Sequence, residues 1–525
     1  MGIIFETGSQ NIKNHPAQKR RFFLVFFIFN SEAQTQLGQT LWGDAQHDRF
    51  GWSVALGNSD GTLAVGAPYA DINGASSGLA RIFLFDGTSW NQMGNDILGE
   101  SAGDEFGRSI DLNDDGQIVV IGSDYHDNFT GQLRVYEWFQ TAGNWVQMGP
   151  DIDGENAGDW FGYSCSINSA GNIIAGGAVG NNDAGNDAGS ARVYQLSGNT
   201  WVQLGQDIVG ESPDDHCGHS VSLSSDGYTL SVGAAANDGV GYEAGHVRVY
   251  IYDDTLNIWT QKGQDIDGEG TYDQSGISNS ISSDGNTVAI GANRNFNPIT
   301  LAAGHVRVHK YDGTDWIQVG QDIDGLMNSE NAGRDVSLSG DGSVLILGAI
   351  HNNTNGIYSG QARVYELTGG SWVQIGLPIN GPGPDDYMGW DTDINRAGTM
   401  VAVGAMTASG GPNGSVTGMV QVYDISTLVP TNDLENKDLF SIYPNPNSGN
   451  ISVEYHLSEN TPSRITLYSI LGENIKTLYD QSDNIGYKKL DLQLTDKFGQ
   501  IVKPGLYIIM FEINGQKIET KVIVQ

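Results

Sequence analysis

The densest run of side chains able to hold a metal or move a proton is Asp214-Asp215-His216-Cys217-Gly218-His219, with carboxylate, imidazole and thiol groups inside six residues. Zinc favours those ligand types, but successive side chains of an extended segment point to opposite faces. No second Cys or His pair stands at ligand spacing to complete a site. Nucleophilic triads, phosphate-cradling glycine loops and helical zinc-protease patterns are absent from the sequence. With 62 Asp and Glu residues, a pair of glycosidase-type carboxylates stays open, and none is singled out. The chain has two cysteines, Cys165 and Cys217. They read as small buried hydrophobes, and spacing alone does not decide whether they pair.

A repeat positions all of these groups. A unit of 55 to 58 residues recurs seven times, marked by glycines 51, 107, 162, 218, 276, 333 and 389 and by Trp90, Trp145, Trp201, Trp259, Trp316 and Trp372. In the fifth copy, Ile277–Ser282, Thr287–Ala292, His305–Tyr311 and Trp316–Ile323 read as four antiparallel strands, with Asp-Gly turns whose glycine accepts positive φ. The second strand is apolar on both faces, as in Val288-Ala289-Ile290, so each sheet must be covered by neighbours on both sides. Such units stack radially into an all-β, seven-bladed β-propeller of four-stranded antiparallel blades. The last copy lacks its outer strand. Gln36-Leu37-Gly38-Gln39 matches Gln203-Leu204-Gly205-Gln206, so residues 35–42 are expected to pair with the third strand of the last blade and remove an open edge.

Repetition also sorts the polar residues, because catalysis needs a group once. Arg81, Arg134, Arg192, Arg248, Arg307 and Arg363 recur in third strands, with Gln421 in the seventh, and read as inter-blade partners of repeated carboxylates. The six tryptophans read as packing elements rather than sugar platforms, and His246 and His305 sit at equivalent positions before third strands. Antiparallel connectivity gathers the inter-blade loops and the variable second-to-third-strand loops on one face. That face is the expected binding surface.

Charge and composition divide the chain further. Of the net charge of −36, residues 34–430 hold nearly all, with 13 Lys and Arg against 48 Asp and Glu. That field repels phosphate backbones and anionic membranes, which argues against nucleic acid as a partner. Lys19-Arg20-Arg21, the apolar run from Phe22 to Phe29 and Ser31-Glu32-Ala33 read as a signal peptide over 1–33. Eight apolar residues are too short for a permanent membrane span, which needs about 20. After Ile425, Pro430 and a polar stretch read as a linker over 428–438 between a propeller at 34–427 and a second β domain at 439–525.

Phe50-Gly51 followed by Gly66-Ala67-Pro68 resembles the FG-GAP repeat, and the region from about 35 to 427 is similar to the propeller at the head of integrin α chains. Calcium loops of that family carry alternating oxygen ligands between the first two strands. Here Asp111, Asn113 and Asp115 alone keep the spacing, with Val119 where a further carboxylate would stand, so the resemblance implies at most a weak calcium site and a tight hairpin is the competing reading. No other cofactor is expected. Residues 439–525 resemble the type A C-terminal sorting domain of the type IX secretion system of Bacteroidetes, through Tyr443-Pro444-Asn445-Pro446, Gly449, Leu471-Gly472, Gly505-Leu506-Tyr507 and the terminal Lys521-Val522-Ile523-Val524. This implies export by that machinery, removal of the tail, and a secreted or surface-displayed propeller. Two functions fit: a binding or adhesion module for a glycan or protein, and a polysaccharide-acting enzyme with carboxylates on the rim.

Overall fold

The computed structural model describes residues 34–525 except 59–60, 297–301, 413, 415, 427, 429–439, 444–448, 458–460, 470–473, 484–485, 514–515 and 525. The signal-peptide reading and nearly all of the expected linker thus lie outside the described residues.

Strands dominate, with one four-residue helical turn at His126–Phe129 among the described residues. Residues 35 to 424 form seven antiparallel sheets, each a blade. In blade one the order runs Ser53–Leu56, Thr62–Ala67, Leu79–Phe85 and Trp90–Gln92 from the axis outward. Second strands such as Thr62–Ala67, Thr229–Ala234 and Thr287–Ala292 are buried along their whole length, as a sheet covered on both faces requires. The inner strands of successive blades touch all the way round, and that of blade seven, Met388–Ile394, meets that of blade one. Thr35–Gln36 and Leu41–Trp42 pair with Asp424–Tyr423 and Val420–Met419, completing blade seven with the N-terminal segment.

The recurring Phe-Gly and Gly-Ala pairs mark where blades approach most closely. Phe50, Phe106 and Phe161 are fully buried. A Cβ on Gly66 of the second strand would lie 2.1 Å from the carbonyl oxygen of Gly107 in the next blade, and Gly107 itself has φ +90°. Any side chain there would push the blades apart.

The outer strands differ from the continuous segments expected. Trp90–Gln92 pairs with Phe83–Phe85, whereas Ile97–Leu98 pairs with Leu79–Ala80, so four residues of the outer strand oppose two of the third. The break falls at a left-handed glycine, Gly94, where a Cβ would strike the Trp138 ring of the next blade at 2.9 Å. Into this step the following blade's tryptophan inserts: Trp145 Nε1 donates to Met93 O at 2.8 Å, and Trp201, Trp259, Trp316 and Trp372 repeat the bond on Met148, Leu204, Lys262 and Val319. Trp90 does the same to Leu37 O of the N-terminal segment at 2.8 Å. These indoles are fasteners between blades.

The C-terminal part forms two sheets, one of Phe440–Tyr443, Asn450–Leu457 and Gly486–Gln493, the other of Asn474–Asp483, Thr461–Ser469, Gly505–Ile513 and Gln516–Val524. Ile451, Val453, Ile465, Leu467, Ile509, Phe511 and Val522 from both sheets share one core, giving a small sandwich. Among the described residues no helix is long and apolar enough to cross a membrane.

Candidate ligand-binding site at the mouth of the central channel

The repeated glycine lies at or just before the start of each inner strand, and the residue after it turns toward the axis on the variable-loop face. Read round the ring these are Trp52, Arg108, Tyr163, His219, Ile277, Arg334 and Trp390, all lining one cavity of about 200 Å³. Neighbouring positions keep one or two residue types round the ring, whereas this one carries five. Trp52 and Trp390 lie 4.9 Å apart, with the Arg108 guanidinium 4.6 Å from Trp52 and that of Arg334 4.4 Å from Trp390. Cationic groups over indole faces gain from the ring quadrupole. Tyr163 OH meets His219 Nε2 at 3.2 Å, and His219 Nδ1 lies 3.0 Å from Ile277 O. Confinement in the channel, with Arg334 adding to it, pushes the His219 imidazole down to about 3, so it is neutral.

The two arginines differ in an important way. Arg108 is held by Glu105 at 3.0 Å and faces Asp124 at 3.9 Å. For Arg334, no carboxylate among the described residues lies within ion-pair distance and no acceptor takes its guanidinium hydrogens. A half-buried cation resting on a tryptophan and lacking a counter-ion is prepared to receive an anionic or strongly polar group.

Below this ring the inner strands carry a serine in five blades. Ser53, Ser109, Ser164, Ser220 and Ser278 each donate to the glycine carbonyl of the following blade at 2.8 to 3.3 Å. Blades six and seven replace it with Asp335 and Asp391, which also line the cavity. Asp335 accepts from Thr392 N and Oγ1 at 2.8 Å, and Asp391 from Val54 N at 2.7 Å. Desolvation raises both carboxyls, and for Asp391 the nearby Asp335 charge adds to it, while the Arg334 charge draws both down in part.

Two residues further on, a second belt stitches the blades. Asp111, Ser166, Ser222, Ser280, Ser337 and Asp393 each accept from the backbone N–H of the next blade, at Ile167, Leu223, Ile281, Leu338, Ile394 and Leu56. Burial pushes Asp111 up to about 6 and Asp393 to about 7. The far end is closed by the turns, whose backbones bond from blade to blade, as in Asp114 N to Ser169 O, Ser169 N to Ser225 O and Ser225 N to Ser283 O. Arg396 of blade seven reaches across to Asp114 at 2.5 Å, Ser225 at 2.8 Å and Ser283 at 3.2 Å. The channel is therefore a blind cup.

Around the mouth lie two further sets of variable residues in left-handed backbone. Arg49, Glu105, Trp160, His216, Gln274, Asn331 and Tyr387 have φ from 53° to 58°, and Ser76, Phe129, Asp187, Glu243, Ala302, Tyr358 and Val416 have φ from 48° to 64°. Such a backbone costs a non-glycine residue about 1 kcal/mol or more. Hydrogen bonds between the two sets hold it, among them Glu105 N to Ser76 O, Trp160 N to Phe129 O and Tyr387 N to Tyr358 O. The conformation places a different side chain from each blade around the mouth on a rigid frame.

The residues named from sequence are distributed rather than gathered. In the Asp214–His219 run, Asp215 accepts from Glu211 N and Ser212 N, Cys217 is buried, His216 stands in the left-handed ring and His219 lines the cavity. Asp111 is taken by Ile167 N and Ser166 Oγ, Asn113 Oδ1 by Gln117 N and Ile118 N, and Asp115 Oδ1 by Gln117 N, so the three calcium candidates serve separate partners around a tight hairpin. Cys165 and Cys217 are free thiols.

Repeated arginines meet repeated carboxylates of the preceding inter-blade loop: Arg134 with Glu100, Arg192 with Glu155, Arg248 with Glu211 and Arg307 with Glu269, at 3.4 to 3.8 Å. Arg81 pairs with Asp44 and Asp96 at 2.7 Å. Gln421 instead faces Gln36 and Thr40, and the loop before its blade carries Pro382 where those before blades two to five carry glutamate.

Of the sorting-motif residues, Pro444, Asn445, Pro446 and Gly472 lie outside the described residues. Tyr443 ends a strand, Gly449 has φ +91°, Gly505 opens a strand, Tyr507 OH donates to Lys503 O at 2.8 Å, and Lys521 pairs with Ile508. The cavity ring was missed in sequence. Its signal was the residue after each repeated glycine, which changes in nearly every copy while its neighbours persist.

Residues 43–83 match the family model for the FG-GAP repeat, and residues 441–525 that for the secretion system C-terminal sorting domain. The tail marks the chain for export by the type IX system, to the cell surface or the medium. No curated protein sequence matches. Among solved structures, a putative 6-phosphogluconolactonase from Bacteroides uniformis is 13% identical, with 82% of this chain and 99% of that one covered and a TM-score of 0.45. The periplasmic gluconolactonase of Pseudomonas aeruginosa is 14% identical, with coverage of 87% and 99% and a TM-score of 0.44.

Proposed function

We propose that the propeller acts outside the cell as a binding module whose cup takes up the end of a glycan carrying an acidic group. One observation carries this reading: a guanidinium without a counter-ion, Arg334, seated on Trp390 beside Trp52 in a cup closed at its far end. Tryptophan faces pack against the C–H faces of sugars, the guanidinium takes the anion, and the Asp335 and Asp391 carboxyls offer polar partners to hydroxyls. Strained, blade-specific side chains around the mouth select the rest of the chain. The expected result is retention of acid-ended glycans on an array, loss of that retention in Arg334→Ala, and no new product by chromatography.

The same aspartate pair supports a second reading, a polysaccharide-acting enzyme. Neighbouring carboxyls with raised proton affinity are the parts of a general acid and its partner. Turnover of a polysaccharide that disappears in Asp391→Asn with binding retained would favour the enzyme over the module.

A further inference from the structure

The start of the third strand in blades four and five carries a histidine that the other blades lack, and each stands between two carboxylates. His246 lies with Glu211 and Asp265, and His305 with Glu269 and Asp322, the ligand atoms of each set all within 4.8 Å of one another. Both imidazoles are about 1% exposed, yet His305 Nδ1 and His246 Nε2 have no hydrogen-bond partner. In blade five the unpartnered Nδ1 faces into the cluster, 3.9 Å from Glu269 Oε2, and in blade four His246 Nδ1 is 3.7 Å from Asp265 Oδ2. These separations are too long for hydrogen bonds, while ligands about 2 Å from one tetrahedral ion stand about 3.3 Å apart, a closure that exposed carboxylates make by rotation.

The remaining atoms are already committed in the way metal ligands are. Gln261 Nε2 donates to Asp265 Oδ1 at 2.6 Å and Gln318 Nε2 to Asp322 Oδ1 at 2.7 Å, which orients each carboxylate from behind. Arg307 approaches Glu269 Oε1 at 3.8 Å and leaves Oε2 toward the histidine, with only a 3.5 Å approach from Asn295. In blades two and six the same position is Gln132 or Gln361, whose Nε2 donates within its own sheet to Asp153 or Asn380.

We propose that blades four and five each bind one zinc-like divalent ion through a histidine and two carboxylates, at Glu211–His246–Asp265 and Glu269–His305–Asp322. One nitrogen and two oxygens with room for water suit zinc, whereas calcium prefers oxygens throughout. The sites are independent of any glycan bound in the cup. Equilibrium dialysis of the full chain against Zn²⁺, with metal analysis, is expected to give two equivalents. His246→Gln and His305→Gln, each importing the residue that a sibling blade already uses, should each lose one, and the double variant both, with near-ultraviolet circular dichroism unchanged. No saturable zinc in the wild-type chain, preference for Ca²⁺ over Zn²⁺, or two equivalents retained by a folded double variant would overturn the proposal.

Discussion

Blade six has exchanged the usual partner of its buried arginine. In blades two to five the arginine meets a glutamate right after the loop glycine, whereas that position is Leu326 in blade six, and Glu330 serves instead, 3.3 Å from Arg363 with both side chains fully buried. In the six other blades an aspartate replaces Glu330 and caps the loop turn through a backbone N–H three residues back, as Asp104 does for Ser101. Glu330 does both jobs, accepting from Leu326 N and Arg363 and from Asn352 at 2.7 Å. Glu330→Asp should keep the cap and strand Arg363, whose Nε and Nη1 already lack partners.

Removing one member of a buried pair costs about 3–5 kcal/mol. The propeller runs from Thr35 to Asp424, and at about 2 cal/mol/K per residue its unfolding entropy is about 0.8 kcal/mol/K, so the midpoint should fall by about 4–6 °C. Adding Leu326→Glu restores the arrangement of the other blades and should recover most of the loss. Scanning calorimetry of wild type, single and double variants at one scan rate measures this. A single variant as stable as wild type, or a double variant no better than the single, would refute the pairing logic.

Removing residues 34–42 deletes the bonds of Leu37 N to Val422 O, Trp90 Nε1 to Leu37 O and both Gln39 bonds to Trp90, about 4 kcal/mol at about 1 kcal/mol each, together with the pairing of residues 35–42 to the last blade, and should lower the calorimetric midpoint by at least about 5 °C. Burial raises the Cys217 thiol to about 11 and Cys165 further, so neither should react with a disulfide reagent at pH 8 until the chain is unfolded. Asp393 is raised to about 7, so the folded state binds its proton more tightly than the unfolded state does; its contribution is full below about pH 4 and is lost as pH rises to 7, by about 1.4 kcal/mol per unit. Denaturant titrations should therefore show Asp393→Asn gaining on wild type between pH 4 and pH 7, and a pH-independent difference would contradict the assignment.

The blade repeat was legible because each mark answers a steric demand: the glycines at 66 and 107 where backbones nearly touch, the tryptophans that fasten one outer strand to the next. Arg134 and its siblings were legible as structural for the same reason. The split outer strand was not, because Gln-x-Gly reads as extended until the two-residue excess against the third strand is counted. The cup was hidden too. Trp52, Arg334 and Trp390 are far apart in sequence, and only ring closure brings their strands together. Arg396 stands where the turns of blades two to six carry Ser, Asp or Gly, but its reach to three other blades depends on ring closure and was not legible.

The cup as a receptor for acidic sugars is tested most directly by calorimetric titration of the full chain with an oligouronate and with its neutral counterpart, in wild type and Arg334→Ala. Saturable binding of the oligouronate, weakened about 10- to 150-fold by the substitution as a charged hydrogen bond of about 1.5–3 kcal/mol requires, is the expected outcome. Equal affinity for the neutral sugar, or oligouronate binding that Arg334→Ala leaves intact, would contradict it.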